Sequence, residues 1–361
     1  MFKMSQEILS LKETEKWNKY ICKLPVDQQD IYFTPEYYQL HEKYGDGKTQ
    51  CFVFELDGEI ALYPFFINPI NKKVYKLDDD YFDIQGAYGY NGVVSSSYDA
   101  GFIDAFFKTF AEYCAENNII AEFTRFHPIL KNYRFSEKNL TISLNRQTVK
   151  LDLTKPNDEI WSDYYSKSNR NKIRKAEKSN VIISVSDLEE DYKAFYNIYA
   201  QTMKGVSAGS YYYFGYEYFN NFNNFIGKNQ KLMIARYDDK IVSALFLMIK
   251  GDYAHIHLSG SIYEYLKFGV NNKIKHEAAL LSKELGAKYL NFGGGNSADL
   301  NDPLFKFKAN FSTERGDFYI GKKIHNNDTY EKVCDIWASK YPEKKEKYAN
   351  FFLKYKELDD E

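Results

Sequence analysis

Two widely separated stretches of this chain carry the same succession of hairpin, helix and strand. Leu56-Asp57-Gly58-Glu59-Ile60 links the apolar, β-favouring runs 51–56 and 60–67, and Tyr237-Asp238-Asp239-Lys240-Ile241 links the runs 231–237 and 240–250. Asp-Gly between such runs is a strong hairpin signal. Behind each hairpin the apolar period becomes helical, through Phe102, Phe106, Phe110 and Tyr113 in one half and Ile274, Ala278 and Leu281 in the other. It then returns to strands at 119–123 and 288–292, with a further strand at 253–260 in the second half. Asn118-Ile119-Ile120-Ala121-Glu122-Phe123 also resembles Leu285-Gly286-Ala287-Lys288-Tyr289-Leu290. The pattern predicts two copies of one α/β unit with mixed sheets, residues 1–150 and 151–325, joined near 149–157. At 361 residues the chain has room for both and for a sizeable core in each.

Local signals fill in the rest. A polar helical start precedes Thr34-Pro35, where Thr34 suits an N-cap and Pro35 the first turn of a helix running to about Tyr44. Residues 78–97 read as a polar, aromatic loop, 213–226 as a helix, and Gly286 as the C-cap of the helix before it. Residues 326–361 read as two amphipathic helices broken at Tyr341-Pro342, an exposed packing element without chemistry.

Composition excludes several function classes. A net charge of -2 rules out a uniformly basic nucleic-acid binder. The 33 Tyr and 28 Phe accompany abundant Asn, Lys and Ile, a set with A/T-rich codons, and are not read as base-stacking platforms. Cys22, Cys51, Cys114 and Cys334 form no CxxC pair, which argues against a disulfide framework or thiolate zinc site and fits a reducing compartment. The opening Met1-Phe2-Lys3-Met4-Ser5-Gln6-Glu7 lacks the apolar core of a secretory signal. The longest apolar run, 241–249, falls far short of the roughly twenty residues of a membrane helix. The expectation is a cytoplasmic protein with no transmembrane segment.

One segment stands out for charge. Residues 167–178 hold six Lys or Arg against one Glu, and Arg170 and Arg174 are i,i+4 neighbours able to grip phosphate with their forked donors. A solvated helix face is the alternative.

The whole arrangement resembles the FemAB-like branch of the GNAT acyltransferase superfamily, whose members carry two GNAT-like domains in tandem. The resemblance rests on Tyr88-Gly89-Tyr90-Asn91-Gly92, Arg125-Phe126-His127-Pro128, the basic run around 170–176, Phe292-Gly293-Gly294-Gly295, and Leu304-Phe305-Lys306-Phe307-Lys308-Ala309-Asn310-Phe311. It implies transfer of an acyl or aminoacyl group to an amine of a cell-wall or surface-glycan precursor. The donor is then an aminoacyl-tRNA or an acyl-CoA, with no tightly bound cofactor, and the partners are an activated glycan or muropeptide precursor and, for the first donor, tRNA.

The resemblance also distributes roles. Lys308 matches a lysine that stabilises developing negative charge or the leaving 3'-ester. Lys267, Gly269, Asn271 and Gly293, Gly294 and Gly295 fall on the donor side. Tyr88, Tyr90, Asn91 and Arg125 fall on the acceptor side, with Arg170 and Arg174 on the precursor's phosphates. The loop Leu266-Lys267-Phe268-Gly269-Val270-Asn271-Asn272 keeps a single glycine where GNAT members cradle pyrophosphate with several, so the regular CoA cradle is lost. An oxyanion donor is expected on the 253–260 strand near 257–259, where His257 is a candidate proton acceptor. His255, His257 and His276 lack the accompanying carboxylates or thiols of a zinc site, and no metal is assigned. A glycan-binding scaffold of the same fold, without catalysis, is the rival from another class.

Overall fold

The computed structural model describes residues 4–206 and 209–358, so the first three residues of the polar opening lie outside it. The chain forms two compact units. One takes residues 1–28, 32–144 and 318–361, and the other 29–31 and 145–317.

The first unit runs β1 (Met4–Leu9), α1 (Thr14–Lys23), α2 (Pro35–Lys43), β2 (Lys48–Leu56), β3 (Glu59–Pro69), α3 (Lys72–Tyr75), β4 (Phe82–Gln85), β5 (Val94–Ser95), α4 (Ala100–Glu116) and β6 (Ile119–Arg125). The second runs β7 (Thr141–Asp152), which joins it at Asn145, α5 (Asn157–Glu159), α6 (Lys167–Lys178), β8 (Ile182–Ser186), α7 (Glu189–Gly205), α8 (Tyr216–Ile226), β9 (Gln230–Tyr237), β10 (Lys240–Lys250), β11 (Tyr253–Ser261), α9 (Val270–Glu284), β12 (Tyr289–Gly294) and α10 (Pro303–Ala309). Then β13 (Arg315–Ile324) returns to the first unit at Phe318, and α11 (Asn327–Lys340) completes it.

The strands of the two units follow one topology. Strands β1-β2-β3-β4 are antiparallel, and β4 pairs in parallel with β6 after α4. Strands β8-β9-β10-β11 repeat this, and β11 pairs in parallel with β12 after α9. Both hairpin turns use two left-handed residues, Asp57 and Gly58 in one copy and Asp238 and Asp239 in the other, as a right-twisted tight hairpin requires. The expected duplication is therefore present, with one adjustment. The left-handed residue after the helix is Asn118 in one copy and Gly286 in the other, so the two segments align one residue away from the sequence match.

Burial explains the periodicities. In the first unit Phe102, Phe106 and Phe110 of α4 pack on Phe52, Phe54, Tyr63 and Phe65, each ring contributing about 2–3 kcal/mol by leaving water. In the second, Val270, Ile274 and Ala278 of α9 pack on Leu245, Leu247, Leu290 and Phe292, with Ile173 and Ala176 of α6 alongside. Thr34 caps α2 by accepting the Tyr37 N–H at 3.3 Å.

Four expectations need correction. The polar start is strand β1, paired along β2, before its helix begins at Thr14. The loop at 78–97 contains β4, a short strand that depends on β3 and β6 for its pairing. The strand expected at 288–292 is β12, displaced to Tyr289–Gly294. After Tyr341-Pro342 there is no second amphipathic helix among the described residues, only short 3-10 turns at Pro342–Lys344 and Lys354–Lys356. Far from being exposed packing, α11 buries Val333 and Trp337 against Tyr75, Ile120 and Tyr355.

Candidate active site

In the second unit the two central parallel strands share only three pairs, ending at His255 with Asn291. Beyond that row each follows its other neighbour. A bulge in β11 sets Ile256 opposite Leu247 and Ser259 opposite Leu245, so His257 and Leu258 together face one residue of β10. A second irregularity, between Asn291 and Gly293, turns β12 along β7. The bulged residues 257–258 lie on the stretch expected to supply the oxyanion donor.

The first unit closes the equivalent seam. Past the β4–β6 ladder, Asn91 bridges to Phe126, its side-chain oxygen accepts the Arg125 N–H at 2.7 Å, and its own N–H donates to the Arg125 carbonyl at 2.6 Å. A Cβ on Gly86 would stand 2.2 Å from Asn91 Cγ, so the amide fills this seam.

At the open end of β12 a cationic cluster gathers. Gly293 has φ +77°, and Lys308 Nζ lies 3.2 Å from where its Cβ would be. Lys308, on α10, donates to the Gly294 carbonyl at 2.7 Å. Arg146, on β7, donates to the Gly295 and Asn296 carbonyls at 3.0 and 3.3 Å. Asp302 caps α10, accepting from Leu304 and Phe305 at 2.9 and 3.0 Å and from Asn296 and Ser297 at 3.1 and 3.2 Å. Those backbone donors, Phe305 first, hold its carboxyl below the usual range. Burial lowers Lys308 to about 8, with the Asp302 charge opposing and the Arg146 charge assisting.

Behind Lys308 lies Lys275 of α9, only 3 % exposed. Its amine donates to the Asn271 side-chain oxygen one turn earlier and sits 5.4 Å from the Phe307 ring centre. Burial, and then the charge of Lys308, bring it down to about 7.

Residues 165–308 match the acetyltransferase (GNAT) domain family. The structure is similar to that of FemX, with a TM-score of 0.70 at 14% identity over 91% of this chain and 99% of that one. This is a FemAB-like GNAT fold. L-PGS from Bacillus licheniformis is also similar, with a TM-score of 0.56 at 13% identity over 90% of this chain and 96% of its own. So is the C-terminal domain of a proposed lysylphosphatidylglycerol synthetase from Agrobacterium fabrum, with a TM-score of 0.53 at 12% identity, covering 92% and 96%. At such identities the likeness is one of fold. No curated protein sequence matches the chain.

Within this GNAT fold the residues singled out from sequence separate into two groups. Lys308 and Gly293, Gly294 and Gly295 come together at the seam. Gly294 and Gly295 admit β7 and Asp302, since a Cβ on either would stand 3.0 Å from the Gln147 carbonyl oxygen or 2.6 Å from Asp302 Oδ1. Asn271 reaches the cluster through Lys275.

The others have local partners. A Cβ on Gly269 would stand 2.2 Å from the Lys172 carbonyl oxygen, so the start of α9 abuts the α6 backbone, and Asn272 and Lys273 tie it further to Asn169 and the Val181 carbonyl at 2.8 and 2.7 Å. Lys267 is exposed and lies 5.1 Å from the Phe268 ring centre. Arg170 donates to the carbonyls of Trp161, Ser162 and Tyr165, which close the π turn Ile160–Tyr164, and Arg174 stacks 5.3 Å over Trp161. The expected guanidinium fork is thus divided between a turn and an indole. In the first unit Arg125 donates to the Gly86 and Ala87 carbonyls at 2.8 and 2.9 Å. Tyr90 is buried, edge-on to Tyr32 and His127, and the Tyr88 carbonyl accepts from the Tyr37 hydroxyl at 2.6 Å.

His257 stacks on Phe222 of α8, with the Tyr218 hydroxyl 2.7 Å from Nε2. Its neighbour Ile256 packs toward α9, the side that holds Lys275, so His257 and the lysines lie on opposite faces of the sheet. His255 meets the buried Asp30 carboxylate at 2.7 Å, and His276 Nδ1 lies 3.2 Å from the Tyr165 hydroxyl. Sequence reasoning missed Arg146, Asp302 and Lys275. Asp302-Pro303 is a legible helix start, whereas Arg146 and Lys275 carry no local signal.

Proposed function

We propose that this protein is an acyltransferase that forms an amide by moving an aminoacyl or acyl group onto an amine of a cell-wall or surface-polysaccharide precursor. The observation that carries this reading is the parted β11–β12 seam with the Lys308 amine at its edge. A carbonyl held there would have the bulged backbone at 257–258 on one strand and a cation beside the other, where negative charge develops during attack by the amine. The acceptor nitrogen forms the new C–N bond, the ester or thioester bond breaks, and the proton lost by nitrogen passes to the released oxygen or sulfur.

Between the two donors, the covered start of α9 favours aminoacyl-tRNA. A pyrophosphate at a helix N-terminus needs backbone N–H groups open to the ligand, and here α6 abuts Gly269 while its Asn169 accepts from the Asn272 side chain in the first turn. The match to an acetyltransferase domain favours acyl-CoA as the second reading. FemX and the domain of the proposed lysylphosphatidylglycerol synthetase share the fold, and the latter's name describes a lysyl group on a lipid. No helix among the described residues is long and apolar enough to cross a membrane.

The test is direct. The protein is incubated with a nucleotide-linked muropeptide or amino sugar and either a pool of charged tRNAs or acetyl-CoA, and the acceptor is weighed by mass spectrometry. Gain of an aminoacyl residue supports the reading, and gain of an acetyl group transfers it to the CoA donor. An unmodified acceptor with every donor, despite measurable precursor binding, favours the glycan-binding scaffold.

A further inference from the structure

Lys275 is an anomaly. An amine removed from water is strongly disfavoured in its charged form unless a carboxylate or several acceptors surround it. Among the described residues its one hydrogen-bond acceptor is the Asn271 side-chain oxygen, and no acid pairs with it. The charge that faces it is Lys308 on α10, which itself lies near Asp302, the N-cap of α10, and Arg146 on β7. Asp302 is the only acid of this group, and its two oxygens already accept four backbone N–H groups. The cluster thus holds three cationic side chains against one carboxylate committed to capping a helix.

We infer that Lys275 and Lys308 together form a two-amine receptor for one phosphate group of a substrate. Lys308, only partly buried, meets the anion at the seam; Lys275 lies behind it and takes up a proton when the anion arrives. A second buried ammonium is unfavourable beside the first, and only a nearby negative charge reverses that balance. The Lys275 amine on α9 lies over the ring of Phe307, immediately before Lys308 in the chain, so one turn of α10 faces Lys275 and carries Lys308. The inference rests on reading Lys308 as facing the donor.

The experiment follows proton affinity rather than turnover. The full-length protein is labelled with carbon-13 at lysine Cε, and proton–carbon spectra are recorded from mildly acidic to strongly alkaline pH, with and without excess sodium sulfate. The resonance missing from Lys275→Met identifies Lys275, and Lys275→Arg does so should the methionine variant not fold. Sulfate stands in for phosphate because it does not titrate in this range. The expected result is a rise of at least about tenfold in the proton affinity of Lys275 with sulfate, lost in Lys308→Met.

Coenzyme A and a short RNA ending in CCA, in separate titrations, reveal which phosphate source reaches the pair. A Lys275 whose proton affinity is unmoved by sulfate and by both larger ligands overturns the inference. Amide formation with no such response would refute the two-amine receptor and leave the transferase reading standing. A response without amide formation would do the reverse.

Discussion

Replacing Lys275 by methionine should stabilise the protein, and the gain should depend on pH in a defined way. The gap between the ordinary lysine value of 10.5 and about 7 in the folded chain, at about 1.4 kcal/mol per pKa unit, sets a ceiling of roughly 5 kcal/mol on the cost of keeping this amine protonated. Loss of the Asn271 hydrogen bond returns about 1 kcal/mol of that, and local relaxation lowers the real cost of any buried ion. A gain of about 2 kcal/mol near neutral pH is therefore expected, or roughly 4–8 °C in Tm for a unit of this size.

The sign follows from linkage. Below about pH 7 the amine is protonated in both folded and unfolded chains, and the full cost is present. Between about 7 and 10.5 the unfolded chain still holds a proton that the folded chain has released, so wild-type stability climbs with pH. Above that window the cost is gone. The advantage of Lys275→Met should accordingly be greatest at and below neutral pH and shrink toward pH 10, measured by urea unfolding across the range. A variant less stable than wild type at pH 7, or an advantage independent of pH, would show that the amine is stabilised by something other than its position beside Lys308 and Asn271.

Three other outcomes follow. Lys308→Ala should lower turnover at least about a hundredfold, the loss typical of one oxyanion donor worth about 2.7–4 kcal/mol, with circular dichroism and Tm showing an intact fold. Gly269→Ala should lose on the order of 2–4 kcal/mol in denaturant unfolding, because its φ of +78° and the Lys172 carbonyl oxygen 2.2 Å from the new Cβ both oppose the methyl group. Arg170→Ala should lower Tm by leaving three carbonyls of the preceding turn without their donor, while nucleotide-precursor affinity by calorimetry stays within about twofold. A large loss of affinity with unchanged Tm would return Arg170 to ligand binding.

Much of the architecture was written in short-range patterns. Asp57-Gly58 and Asp238-Asp239 announced the hairpins because two successive left-handed residues suit few side chains. Phe102, Phe106 and Phe110 announced α4 because its buried face must recur every third or fourth residue. Strands β1 and β4 were missed for the opposite reason. Met4-Ser5-Gln6-Glu7 is polar and Phe82–Gln85 is very short, so each becomes a strand only because β2, or β3 and β6, supply hydrogen-bond partners from far along the chain.

The same division runs through the site. Lys308 and the three glycines stood out in sequence through their local motifs, and the duplicated α/β plan followed from periodicity and turn chemistry alone, because both are properties of neighbouring residues. Which copy of the seam opens was not legible there. Asn91 closes one by inserting its amide beside Gly86 and bonding the Arg125 backbone, and two bulges part the other as β11 and β12 each follow the strand on their outer side, events set by partners on other strands. Nor could any spacing mark Lys275. Its chemistry comes from burial against Phe307 and nearness to Lys308, and both burial and nearness exist only once α9 and α10 have packed on the sheet.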